Sequence, residues 1–403
     1  MAGYNGWQNE VRKRTRIAVG IIWSLTAVSL AAADPATAPL KWRASQPALS
    51  QKLAELADPN KVLDFLERQT AADPLNRPIL YALGHAYEAL ARAALQRLER
   101  ASSAAPYLLA ARAYRAAYFG DWVEARRLLL ELRQSRGPQP PNTDSLLQYI
   151  EGRLAGAQQG GILGGDSEQK VPTPCPDPLP MCSAPTPELR EALRQSLEKD
   201  DPESLYRQVF TATELGRRAF LSLEGLEDSP ERQARRAEVA EQQGDPIEAI
   251  LHWRKALELA PANLWLKQEL ARAYLDNQDL DDAEPIVTEL LKTAPGSIDV
   301  HRLAARLYFE SERYNEALPH LLKVAQAEPS DLSYRAALGR TFLVLGQPAE
   351  AIPHLEAALE IDQDGSLHID LSSAYRRLGD RKRADELLQR GLSLAQKANQ
   401  AVH

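Results

Sequence analysis

Between positions 229 and 400 the chain repeats itself at an interval of 34 residues. At that offset Pro261, Pro295 and Pro329 align, as do Ala249, Ala283, Ala317 and Ala351, and so do Tyr274, Tyr308 and Phe342. A fifth copy, slipped by one residue, adds Tyr375, Gly379 and Ala384. Self-similarity at a fixed period of this size marks stacked supersecondary units, each unable to bury its apolar face alone. The pattern therefore specifies an architecture before it says anything about chemistry.

One copy, residues 332–364, shows how a unit is built. In its first half Ala336, Leu338, Gly339, Phe342 and Leu345 recur at helical spacing. Gly346 ends that helix, because glycine accepts positive φ without steric cost. In the second half Ala351, Leu355, Ala358 and Leu359 share one face. Gly339 and Ala351 are small where two helices should cross closely. Phe342 is large where the gap between hairpins needs filling.

These positions resemble the tetratricopeptide repeat (TPR) family: L-G-x-x-Y/F in the first helix, Gly at the turn, Ala opening the second helix and Pro at the exit. The pattern is full in 264–295, 298–329 and 332–364, and partial in 230–261, where Arg236 replaces an apolar residue, and in 365–397. These copies cover about two-fifths of the chain. The resemblance implies an all-α fold, a right-handed α-solenoid of TPR hairpins, and a non-catalytic protein or peptide-binding scaffold. Fold alone does not choose the partner.

Composition agrees with the all-α class. Of 403 residues, 44% are hydrophobic and only 6% aromatic, and the net charge is −7. Neither a basic surface nor a dense acidic tail is present, so nucleic acid is not expected as a partner. Residues 1–33 read as a secretory signal: Arg12, Lys13, Arg14 and Arg16 precede an apolar run over 17–30, and Ala31-Ala32-Ala33 offers a small-residue cleavage site. An uncleaved N-terminal membrane anchor is the alternative, since the uncharged span is near the lower limit for crossing a bilayer. Cleavage would remove one acid and four bases and leave a more acidic chain. The expected location is exported, either periplasmic or secreted.

Residues 34–159 are expected to form degenerate TPR-like hairpins. Leu83, Gly84 and Tyr87 repeat the first-helix pattern, and Gly120-Asp121 repeats the turn at Gly244-Asp245. Residues 160–186 are rich in Gly, Pro and Ser and are expected to be a linker loop. Residues 187–229 form a helical lead-in whose Leu215-Gly216-Arg217-Arg218-Ala219-Phe220 echoes the first-helix pattern. The array and a solvated capping helix follow over 230–403.

Candidate chemistry is sparse. Cys175 and Cys182, the only cysteines, share the linker; a disulfide between them and two unpaired thiols both remain open. With no histidine near them they are not a zinc site. None of the seven histidines stands in a metal-binding motif, although His320 and His354 occupy equivalent positions 34 apart. Hydrolase, Walker and dinucleotide signatures do not occur. No metal or cofactor is expected, and the chain is expected not to be an enzyme.

The sharpest feature is a column of arginines at the repeat interval: Arg272, Arg306 and Arg340. If the hairpins stack as in the family, this position faces the concave groove. Arg302, Arg376 and Arg377 join it, with Trp265 and Phe309 as apolar neighbours. Two readings stand. The arginines grip carboxylates of a peptide partner, or they pair with acids on adjacent helices such as Asp276 and Glu310. Two other functional classes are carried: a self-associating adaptor of an envelope complex docking through its terminal hairpins, and, remotely, a hydrolase with its site between the helical segments.

Overall fold

The computed structural model describes residues 47–56, 58–101, 105–135, 140–141, 143–158 and 186–401. The proposed signal segment 1–33, the linker over 160–185 and both cysteines, Cys175 and Cys182, lie outside the described residues. Among the described residues the secondary structure is helical throughout, without strands. No described helix is long and apolar enough to cross a membrane.

In chain order the helices are α1 (Pro47–Leu56), α2 (Pro59–Ala72), α3 (Arg77–Arg100), α4 (Ala105–Tyr118), α5 (Trp122–Gln134), α6 (Thr143–Gln158), α7 (Thr186–Leu197) and α8 (Pro202–Glu224). The array follows as α9 (Pro230–Gln242), α10 (Pro246–Leu259), α11 (Leu264–Asp276), α12 (Leu280–Thr293), α13 (Ile298–Glu310), α14 (Tyr314–Ala327), α15 (Leu332–Val344), α16 (Pro348–Ala358), α17 (Ser366–Arg377) and α18 (Arg381–Ala401). Starts are written in the sequence. Asp58, Asp201, Ser229, Asp245 and Ser297 each accept a hydrogen bond from the backbone N–H three residues on, supplying an acceptor for a donor the helix itself leaves open. Pro59, Pro202, Pro230 and Pro246 occupy the first turn, where no N–H is needed.

The chain divides into two compact units, Pro35–Leu266 and Lys267–His403. The boundary falls inside α11, so the first hairpin of the array belongs with the N-terminal helices, not at the junction expected near 229.

In the unit 267–403, α12 packs on α13, α14 on α15 and α16 on α17, so successive hairpins stack. One core joins Ala271, Ala304, Tyr308, Leu321 and Leu338; the next joins Ala336, Leu355, Leu371 and Ala384; Phe342 touches both. A β-carbon on Gly339 would fall 2.5 Å from Leu355 of the same hairpin, so the small residue is required where the paired helices cross. The turn between helices needs a left-handed residue. Gly346 and Gly379 supply it, but at the equivalent positions of two hairpins Gln278 (φ 65) and Glu312 (φ 59) adopt it instead. The one-residue slip of the last copy is taken up after α16, where the helix tightens into a 3-10 turn at Leu359–Ile361 and the exit proline is missing.

The unit 35–266 contains two hairpins of the expected kind at their turns: Gly120 between α4 and α5 takes φ 83, and Gly244 between α9 and α10 takes φ 72. Its centre is different. The long helices α3 and α8 pack along each other, and the two L-G patterns meet there. A β-carbon on Gly84 would fall 2.5 Å from the Phe220 ring, and one on Gly216 would fall 3.2 Å from the Gly84 carbonyl. In the array the glycine faces its own hairpin; here it faces a helix more than a hundred residues away. The similar pattern serves a different packing partner.

Candidate functional site

The arginine column lies in the unit 267–403, and every member is held. Arg272 sits 2.9 Å from Glu269 and 2.8 Å from Asp276 on its own helix. Arg306 reaches back to the preceding hairpin, donating to Asp276 at 2.5 Å and to the Leu275 carbonyl at 3.0 Å, and also pairs with Glu310 at 2.8 Å. Arg340 reaches forward to Asp370 at 2.7 Å and to the Ser366 hydroxyl at 2.7 Å. Arg377 donates to the Leu343 carbonyl at 2.6 Å. Arg302 pairs with Asp299 and Glu328, and Arg376 with Asp385 at 3.0 Å. Three of these side chains therefore tie one hairpin to the next.

Burial sorts the column. The side chains of Arg340 and Arg306 are 9% and 14% exposed, against 29% for Arg302, 35% for Arg272 and 54% for Arg376. Glu310 lies almost fully buried beside Arg306. Burial pushes its carboxyl above the usual range, and the Arg306 guanidinium pulls the other way. Arg306 and Arg340 are thus partners in buried ion pairs, where losing one charge strands the other.

The apolar neighbours are placed differently. Phe309 is buried and meets the Tyr314 ring edge-on at 5.5 Å. Trp265, half-buried in the unit 35–266, packs edge-on against Trp253 and Tyr81, both at 5.7 Å.

Two clusters escaped the sequence reading. The first is buried in the unit 35–266, between α3, α8 and α9. Arg235 lies 3.0 Å from Glu88 and 3.4 Å from Glu238, with its guanidinium 3.7 Å above the Phe220 ring. His85 stands between the same two acids, 3.5 Å from Glu88 and 3.1 Å from Glu238, and the Tyr81 hydroxyl donates to Glu238. Burial alone would lower the His85 pKa, but the two carboxylates outweigh it and raise it. Glu88, despite burial, is held well below the usual carboxylate range by Arg235 and His85. With His85 protonated, two positive and two negative charges balance. The two described recesses, about 460 and 340 Å³, are lined by other residues, including Leu49, Arg77 and Pro230 in one and Phe65 and Arg68 in the other. This network ties three helices together. Its members come from positions 81 to 238, and no local spacing announces them.

The second cluster is in the third hairpin of the array, where the His301 and His320 Nδ1 atoms lie 2.8 Å apart. The 19-residue spacing recurs at Gln233 and His252, whose side chains meet at 2.7 Å; that recurrence was the available signal. Among the described residues no group of three or more His, Cys, Asp or Glu side chains is arranged to hold a metal ion.

Comparison with known proteins bears on the array. Three family models, each described as a tetratricopeptide repeat, match residues 240–307, 302–366 and 367–401. No curated protein matches the sequence. Solved structures similar to part of the chain include MamA from MSR-1 and MamA from Desulfovibrio magneticus RS-1. The first is 23% identical over 41% of this chain and 94% of its own, with a TM-score of 0.37. The second is 20% identical over 42% and 97%, with a TM-score of 0.39. The sequence period, the stacked hairpins and the three family matches converge: residues 240–401 of the chain are tetratricopeptide repeats.

Proposed function

We propose that the array docks a protein or peptide partner in its concave groove, and that the contact falls on the more exposed arginines, Arg272, Arg302 and Arg376. Tetratricopeptide repeats support a protein-interaction scaffold, and the observation that carries the finer reading is the split within the arginine column. Arg306 and Arg340 are themselves buried: Arg306 pairs with buried Glu310 on its own helix and reaches Asp276 of the preceding hairpin, and Arg340 pairs with Asp370 of the next. The other three hold carboxylates at the surface, where an exposed pair is worth ~1 kcal/mol or less and a partner's carboxylate can replace it. Phe309 is buried within the unit that carries these arginines, so it offers no free ring to a partner. We place the protein in the cell envelope or outside the cell, on the strength of the N-terminal sequence alone.

The test is crosslinked capture from envelope extract by wild type beside an R272E/R302E/R376E variant with unchanged circular dichroism. A partner captured by wild type and lost by the variant supports the reading; equal capture by both contradicts it.

Self-association is the second reading. One observation favours it: on the last helix, α18, Leu392 is half exposed and Leu394 is partly exposed. Light scattering on wild type and L392K/L394K separates the two.

A further inference from the structure

In the first three hairpins the same position near the start of the first helix, Gln233, Lys267 or His301, contacts the second helix, through one or other of two second-helix positions three residues apart. In the second hairpin it is an ion pair, Lys267 to Glu289 at 2.6 Å. In the first it is Gln233 to His252, and the other ring nitrogen of His252 has Glu248 at 3.2 Å. In the third the acid is gone. Lys323 stands where Glu289 does, with its ammonium 3.0 Å from His301 Nε2, while His301 Nδ1 meets His320 Nδ1.

That arrangement constrains the protons. An Nδ1···Nδ1 hydrogen bond needs one donor and one acceptor. The Lys323 ammonium can only donate, so its contact requires a lone pair on His301 Nε2. The alternative tautomer turns His301 Nε2–H towards the Pro295 carbonyl, 3.0 Å away. No distribution of protons satisfies these contacts with both rings charged. The surroundings offer no relief. From α14 the facing groups are His320 and Lys323, from the loop after α12 the Pro295 carbonyl, and from α13 the Tyr308 ring, stacked on His320 at 5.7 Å. The nearby acids Asp299 and Glu328 are held by Arg302, and Arg335 of α15 acts on His354. Burial and the Lys323 charge depress His301; burial, His301 and Lys323 push His320 down to about 4.

We propose that Lys323, His301 and His320 form an acid-triggered release in the third hairpin: protonation of the two rings beside the Lys323 ammonium, which meets no carboxylate among the described residues, separates α13 from α14 and loosens the docking surface that α13 carries. The link to docking rests on the function proposed above; the release itself does not. The sign follows from linkage. Both rings bind protons more weakly folded than unfolded, so their contribution is complete above pH ~6.5 and is lost as pH falls towards 4.

The test is hydrogen exchange on the full-length protein from pH 7.5 to 4.5, corrected for intrinsic rates, with peptides from α13–α14 compared with those from α12. The opening constant in α13–α14 should rise at least about tenfold per pH unit below ~6.5, since the open form takes up at least one more proton. The variant H301K/H320I/K323E, which installs the residues of the second hairpin, should flatten that slope. Should it fail to fold at neutral pH, H320I alone, with the isoleucine of the second hairpin, should reduce it. A pH-independent opening in wild type, or an unchanged slope in the folded variant, overturns the proposal. No partner is needed, so this failure is distinguishable from failure of the docking reading.

Discussion

Arg306 of one hairpin and Asp276 of the preceding one meet at 2.5 Å, across a repeat boundary. Buried Glu310 completes the contact from the same helix as Arg306. The arginine that the repeat period singles out is therefore a tie between units, and its removal leaves a carboxylate stranded.

Arg306→Ala should cost about 3 kcal/mol, because Glu310 remains buried without its cation. Arg272→Ala, at a position about a third exposed, should cost ~1 kcal/mol or less. Urea unfolding of both variants checks the contrast, and equal small effects would remove the distinction between tie and surface.

The buried network predicts a non-additive pair. Arg235→Met should destabilise the unit 35–266 by roughly 3–5 kcal/mol, since Glu88 and Glu238 keep their charge with less compensation. Adding Glu88→Gln should recover part of that loss. A double-mutant cycle with no coupling would show that the two side chains do not share one network.

The same network has a pH signature opposite to that of the third hairpin. His85 has a raised pKa, so its contribution is present below pH 6.5 and is lost as pH rises through the folded value. Exchange of α3 and α9 amides should speed on the alkaline side of neutrality. In His85→Gln that extra alkaline dependence should vanish.

Two left-handed turn residues store strain that glycine would relieve. Glu312→Gly should stabilise the array by up to about 1 kcal/mol, the cost of a side chain at φ 59. A destabilised variant would mean that the Glu312 side chain makes up for its backbone.

Gly84 meets Phe220 so closely that Gly84→Ala should cost about 1–3 kcal/mol. Combining it with Phe220→Leu should restore some of the loss by opening space. The thermal transition of the N-terminal unit reports both.

What was legible in the sequence was whatever recurs. The alignment of Tyr274, Tyr308 and Phe342, and the glycine at 346, placed helices and turns because each hairpin solves the same packing problem. The linkage of Arg306 to Asp276 was also open to reading, since both positions sit at fixed repeat offsets. The N-terminal unit was legible only locally. Gly84 and Gly216 were read as members of separate hairpins, yet they face each other, because a small residue permits close approach without naming the helix that approaches. The network of His85, Glu88, Arg235 and Glu238 was invisible for a related reason: an ion pair 147 residues apart in sequence has no period. The division at residue 266 depends on which surfaces bury most, and repeat pattern does not report that.

The central claim is that a partner docks on the first helices of the stacked hairpins, through arginines that are not spent on holding the stack. Once a partner is in hand, amide exchange of the full-length protein with and without it is the most direct measurement. Protection concentrated in α11, α13, α15 and α17, with α12, α14 and α16 little changed, is the predicted result. Protection confined to α4–α6, or to α18 alone, would contradict the claim and move the docking surface elsewhere.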